Sequence, residues 1–261
     1  MTAGLHVWGA PDAPPIVLLH PTLAYGGAWK GLAETLSDRY RLVAPDMVGH
    51  GRGPAGDPDR DFHDQATEHV AGLLPEAPCH LVGHSFGGTV ALRLAIEQAP
   101  RVLSLTLYEP VLFAAAPDGP EKRENAETLA HVTDLAAAGD PAGAARAFLE
   151  VWGAGEDFDA LPPAQAERMA RQMWIIAAQR GALHEDTAKL LPRLPDVACR
   201  VLLMRGALSP GVTGKILDGL QDGLPKSRRS VIHGAGHMGP ITHPGLVAAE
   251  LSAFLDRARL S

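Results

Sequence analysis

The run Gly83-His84-Ser85-Phe86-Gly87 constrains this chain more than any other feature of its sequence. It follows a short apolar stretch, Cys79-His80-Leu81-Val82, and precedes a helical pattern with apolar residues at Val90, Ala91, Leu94 and Ala95. A serine flanked by glycines at a strand-to-helix junction predicts a nucleophile elbow. The spacing has a physical cause. To lift a serine above the end of a strand, the backbone must turn so tightly that its neighbours two residues away carry almost no side chain. The helix that follows then directs its first amides toward negative charge developing near the serine. The competing reading is a glycine-rich turn without chemistry, since the chain has 28 glycines. The flanking strand and helix favour the elbow.

Length and composition fit one catalytic core. A chain of 261 residues allows a single α/β domain with an inserted sub-structure. Hydrophobic residues make up 46% and charged ones 20%, which is a globular and not a disordered balance. A net charge of −7 offers no basic stripe for nucleic acid and disfavours anionic membrane surfaces. No apolar run is long enough to span a bilayer. Residues 1–9 lack the cationic start and apolar core of a secretory signal, so a cytoplasmic location is expected. Cys79 and Cys199 each open a predicted strand and read as reduced core residues.

Periodicity predicts strands over 5–8, 16–20, 41–45, 79–84, 102–108, 201–204 and 229–232, with helices over 29–36, 61–74 and 244–259. Strands rich in Val and Leu on both faces and interleaved with helices imply a mostly parallel sheet covered on both sides. About ninety residues between 108 and 199 contain no convincing strand. They read as helices over 120–138, 141–152, 162–180 and 184–191, punctuated by proline or glycine. The expectation is an α/β core of residues 1–112 and 197–261, with a helical cap of residues 113–196 inserted above the strand ends.

A serine nucleophile needs a base. Among twelve histidines, His237 stands apart because Gly234-Ala235-Gly236-His237-Met238 follows a late strand and precedes the last helix. The glycines permit a loop that carries the imidazole back over the strand ends, against the plainer reading of a structural loop histidine. His20, His50 and His84 belong to strand-end loops and read as turn organisers or lining of the site. No H-E-x-x-H or Cys/His cluster suggests a metal, and the chemistry calls for no cofactor.

These pieces resemble the α/β-hydrolase superfamily over nearly the whole chain. The matching residues are His20-Pro21-Thr22, with Trp29 opening the next helix, then Ala44-Pro45-Asp46-Met47-Val48-Gly49-His50-Gly51-Arg52-Gly53, the elbow, and Gly234 to Met238. The resemblance implies the α/β-hydrolase fold, an eight-stranded, mostly parallel sheet with a helical cap after strand six. It also implies an oxyanion hole from the backbone N–H groups of Phe86 and Thr22. Pro21 stands where the family usually has glycine, which removes one amide from that turn.

The acid departs from the family pattern. Relatives commonly place an aspartate in a Gly-x-x-Asp context after the strand that follows the cap; here the segment reads Arg205-Gly206-Ala207-Leu208-Ser209-Pro210. Asp218 lies too deep in the next helix and Asp196 at the wrong end of the strand. Some superfamily members carry the acid one strand earlier, where this chain has Glu109 in Leu107-Tyr108-Glu109-Pro110. Pro110 is expected to hold Glu109 extended. The rival readings are a solvated loop glutamate at 109 and Asp46 as the acid, although Asp46 in this family usually braces the Gly49–Gly53 turn.

The sequence therefore predicts a Ser85–His237–Glu109 hydrolase acting on an ester, thioester or lactone of a small, largely apolar molecule. Fold and triad alone do not decide among these, and a carbon–carbon bond hydrolase or a ligand-binding sensor on the same scaffold stays open. Met169, Met173, Trp174 and Ile176 sit at helical spacing and read either as plain core or as an apolar acyl pocket.

Overall fold

In the computed structural model, which describes residues 3–258, the strands arise from the apolar runs expected of them. They are β1 (Leu5–Trp8), β2 (Pro15–Leu19), β3 (Arg41–Pro45), β4 (Cys79–His84), β5 (Val102–Tyr108), β6 (Arg200–Gly206) and β7 (Ser227–Ile232). The helices are α1 (Lys30–Leu36), α2 (Phe62–Ala71), α3 (Phe86–Glu97), α4 (Pro120–Ala137), α5 (Pro141–Trp152), α6 (Pro163–Arg171), α7 (Trp174–Ala178) and α8 (Arg180–Glu185). After β6 come α9 (Gly211–Gly223), α10 (Gly239–Thr242) and α11 (Pro244–Ala258). The last helix was expected to reach Arg259, which lies outside the described residues.

The sheet order is β1-β3-β2-β4-β5-β6-β7. β1 is antiparallel to β3, and the remaining pairs are parallel. Strand alternation feeds two cores at once. In β2, Val17 and Leu19 join the layer built with α2, α3 and α9, whereas Ile16 and Leu18 join the layer built with α1 and α11. Each fully buried side chain of this size contributes roughly 1.5–3 kcal/mol relative to exposure. That burial on both faces is what holds the sheet between its helices.

The described residues contain seven strands, not the eight that the resemblance implied. Gly9, at φ +84° and packed against the Tyr40 carbonyl, turns the chain directly from β1 toward β2.

The segment between β5 and β6 is helical as expected, with its own small core of Val132, Ala144, Ala145, Leu149, Phe158 and Met173. Two helix boundaries differ from expectation. The single helix over 162–180 is broken into α6 and α7, because the chain tightens at Gln172 and Ile175, whose amides bond back to Met169 and Gln172. The Gln172 side chain leaves the helix to donate to the Gly49 carbonyl at 2.8 Å. The helix over 184–191 ends early, at Glu185, since Asp186 adopts φ +49° and its carboxylate accepts from the amides of Leu190 and Leu191.

Because β2, β4, β5, β6 and β7 run parallel, their C-terminal ends share one edge of the sheet. That edge carries the loops starting at His20, Ser85, Glu109, Ala207 and His233. No helix of the described residues is long and apolar enough to cross a membrane. Both cysteines are free, and burial pushes each thiol up to about 11.

Candidate active site

Ser85 follows β4 directly and sits at φ +56°, ψ −121°, a conformation that side-chain-bearing residues rarely adopt. The surroundings hold it there. Its amide donates to the Tyr108 carbonyl at 3.0 Å, and its own carbonyl accepts from Gly88 N at 2.9 Å. A β-carbon on Gly83 would run into the Gly87 carbonyl and Gly88, and one on Gly87 into the carbonyls of Leu19 and His20. The two glycines of the motif are thus required by backbone contacts, one within the elbow and one against the end of β2. Phe86 opens α3, so its amide is among the helix N-terminal groups without an intrahelical acceptor.

Thr22 lies in a tight turn closed by Ala24 N donating to the Pro21 carbonyl at 3.2 Å. Two neutral histidines shape this loop. His20 donates from Nδ1 to the Pro21 carbonyl at 2.9 Å and accepts at Nε2 from Met47 N at 3.0 Å. His50 donates from Nδ1 to the Val48 carbonyl at 2.8 Å and accepts at Nε2 from Leu23 N at 3.1 Å. Burial, the largest cause, pushes His50 down to about 4 and His20 well below the usual histidine range. Protonating either ring would remove the Nε2 acceptor that holds a loop amide.

Glu109 is fully buried at the end of β5. Its backbone is not extended: φ is +46°, while its amide continues the ladder to the Met204 carbonyl at 2.9 Å. Pro110 disfavours the right-handed helical region at this residue, and the chain takes the left-handed one in place of the extended one. The carboxylate is consequently turned along the strand ends. Oε2 accepts from His237 Nδ1 at 2.7 Å. Oε1 accepts from Gly206 N at 2.6 Å and from the Ser209 hydroxyl.

The loop holding His237 is fixed from two sides. Tyr108 donates its hydroxyl to the Gly236 carbonyl at 2.8 Å, and Leu208 N donates to the Ala235 carbonyl at 3.0 Å. The His237 ring lies 4.9 Å from that of His84, the residue preceding Ser85, and 4.7 Å from the Trp152 ring. Its bond to Glu109 uses Nδ1 and leaves Nε2 for other chemistry. His84 is fully buried between Trp29, Tyr108 and His237, and burial holds it well below the usual range, so it stays neutral.

Asp46 is occupied elsewhere. Oδ1 accepts from Gly26 N at 2.7 Å and faces His6 Nε2 at 3.1 Å, and Oδ2 accepts from Arg52 N at 2.7 Å. Asp218 pairs with Arg229 outside the site, and Asp196 ends a short turn just before the N-terminal end of β6, the opposite end of that strand from Gly206. Among the described residues no group of three His, Cys, Asp or Glu side chains is arranged for a metal ion.

A cavity of about 180 Å³ opens at Ser85 and Thr22 and is walled by Val111, Phe113, Phe148 and Trp152. The four residues of the apolar stripe part company. Ile176 lines this cavity and Met169 lines a neighbouring one of about 200 Å³. Met173 is buried in the helical core, and Trp174 stacks edge-on against Phe62. Sequence reasoning missed Trp152, Tyr108, Gln179 and the donation from Ser209. Only Ser209 left a trace in the sequence, as the residue standing where an aspartate was sought.

Residues 16–250 match the alpha/beta hydrolase family. The chain is 31% identical over 262 residues to the pimeloyl-acyl-carrier-protein methyl ester esterase of Methylococcus capsulatus, covering 97% of this chain and 98% of that one. It is 30% identical over 269 residues to lipase LipV of Mycobacterium tuberculosis, covering 98% and 99%. The enol-lactonase of Burkholderia xenovorans LB400 superposes with a TM-score of 0.75 at 22% identity, over 97% of this chain and 95% of that one. That last likeness is one of fold.

Proposed function

Because the chain belongs to the alpha/beta hydrolase family, we propose that it hydrolyses a carboxylic ester of a largely apolar acyl group through an acyl-enzyme on Ser85. His237 Nε2 takes the Ser85 proton as Oγ attacks the ester carbonyl. The carbonyl oxygen becomes an oxyanion held by the amides of Phe86 and Thr22. As the tetrahedral intermediate collapses, the C–O bond to the alcohol breaks and imidazolium returns the proton to the leaving oxygen. Water then attacks the acyl-enzyme, giving its proton to His237, which passes it to Ser85 as the acid departs. Glu109 fixes the Nδ1–H tautomer and balances the imidazolium charge at each stage.

One observation carries this reading: a fully buried carboxylate bonded at 2.7 Å to Nδ1 of a histidine packed against the elbow. A carboxylate buried without such a partner would be strongly disfavoured. The names of the esterase relatives favour the ester of a small alcohol over a thioester or lactone. In this reading residues 113–196 act as a cap on the core of residues 1–112 and 197–261, and their helices wall the acyl cavity. Turnover of short p-nitrophenyl esters, with fluorophosphonate labelling, tests it. Labelling and turnover both lost in Ser85→Ala are expected; either one surviving unchanged overturns the assignment.

A further inference from the structure

Gln179 joins α7 to α8 and is buried, with 2% of its surface exposed. Its backbone is satisfied, the amide bonding the Ile175 carbonyl at 3.1 Å and the carbonyl accepting from Leu183 N at 3.1 Å. Its side chain is only half satisfied. Oε1 accepts from the Thr22 hydroxyl at 3.0 Å, whereas among the described residues nothing accepts from Nε2. The contrast with Gln172 is instructive, since that nearby glutamine pairs its Nε2 with the Gly49 carbonyl. A buried amide donor left unpaired costs about 1–3 kcal/mol.

Gln179 lines the cavity that Ser85 and Thr22 open into. The cavity walls include the apolar Val111, Phe113, Leu129 and Ile176 and, besides Gln179, the polar Thr133, Arg180 and His184; the unpaired Gln179 amide donor among them reads one position of a ligand. The Thr22 contact fixes where that position is. Thr22 belongs to the loop against which Gly87 packs, so the amide reaches an acyl chain close to its ester carbonyl. The donor needs an acceptor, and among the described residues none is within reach.

We propose that Gln179 is a specificity-determining residue whose Nε2–H donates to an acceptor oxygen on the acyl chain. It selects acyl groups carrying an ether, oxo or hydroxyl oxygen near the scissile carbonyl over all-carbon chains of the same shape. This rests on the acyl-enzyme reading above. A substrate with the oxygen satisfies the amide, and one without it leaves the donor buried and unpaired, a difference that sites of this kind convert into discrimination of about tenfold or more.

The test compares methyl β-methoxypropionate with methyl valerate, isosteres that differ by an oxygen in place of a methylene. In the intact enzyme the ether ester is expected to have a kcat/KM about tenfold higher, and in Gln179→Met the ratio falls toward one. Comparing ratios between the two proteins removes the intrinsic reactivity of the esters. Gln179→Asn withdraws the amide by one methylene and serves if the methionine variant fails to fold; a reduced ratio is expected there too. An unchanged ratio in the variants, as when a bound water satisfies the amide, overturns the proposal. Calorimetric binding of both esters to Ser85→Ala, with and without Gln179→Met, separates the two levels. A binding preference that depends on Gln179 supports recognition even if turnover is absent, whereas equal binding by both proteins refutes it whatever happens at Ser85.

Discussion

The hydroxyl of Ser209 donates to Glu109 Oε1, the carboxylate whose other oxygen faces His237 Nδ1. The residue standing where this family commonly carries an aspartate therefore remains in the same network, as a donor to a carboxylate carried on the neighbouring strand. With Gly206 N also on Oε1, the carboxylate is held by three donors, from the end of β6, the loop after it and the loop after β7. Its orientation is set before any substrate arrives.

Replacing Glu109 with Gln keeps its shape and removes its charge. In a related triad, aspartate to asparagine lowered kcat about 10⁴-fold, and a loss of roughly 10²–10⁴ is expected here with the fold retained. Asp46→Asn disturbs the Gly26 and Arg52 amides and is expected to lower Tm more than kcat. Steady-state kinetics and melting curves on the two variants decide. A dead, folded Asp46→Asn beside an active Glu109→Gln would transfer the acid role.

Ser209→Ala removes one of two donors on Oε1. A hydrogen bond to a charged group contributes about 1.5–3 kcal/mol, so kcat is expected to fall roughly ten- to hundredfold with little change in KM. Ser209→Asp in the otherwise intact enzyme sets two carboxylates against each other and should be worse than alanine. Combined with Glu109→Gln it should instead recover part of the lost rate. A double variant no better than Glu109→Gln alone would show that the Ser209 position cannot serve the histidine.

Acid lability follows from the buried histidines. His50 and His63 are each lowered to about 4, mainly by burial, whereas an unfolded histidine titrates near 6.5. Between these values the unfolded chain binds more protons than the folded one, so stability falls as pH drops from about 6.5 toward about 4. It is fully present above 6.5. Each group can contribute a slope of up to about 1.4 kcal/mol per pH unit in that window. Urea midpoints measured from pH 7 to pH 5 should decline steeply, and His63→Gln should flatten the decline. A midpoint independent of pH over this range would contradict the burial of these rings.

Gly87→Ala pushes a methyl group into the carbonyls of Leu19 and His20, just before the Thr22 turn. Overpacking of this kind costs typically 1–3 kcal/mol, and here it also shifts the loop whose Thr22 amide is the proposed oxyanion donor. Both a lower Tm and a kcat loss of about 10² or more are expected. Gly234→Ala meets no neighbouring atom and suffers only from φ +80°, so it should cost about 1 kcal/mol and spare most activity. Equal activity loss in the two variants would mean that the His237 loop, and not the elbow contact, is the sensitive element.

The seven strands, the elbow and the histidine loop were legible in the sequence because short-range sterics encode them. Alternating apolar residues choose a strand's faces, and the tight turn at Ser85 demands Gly83, whose β-carbon would meet the elbow's own backbone, whereas the need for Gly87 comes from the end of β2. Glu109 was legible only as a candidate. Its partners lie 97 to 128 residues away, and they meet because Tyr108 is in register with Met204, which sets Glu109 beside Gly206. The same holds for the left-handed turn at Glu109, the break at Gln172 and the half-satisfied amide of Gln179. Each depends on which distant backbone or side chain arrives alongside, and sheet register and helix packing decide that, not local propensity.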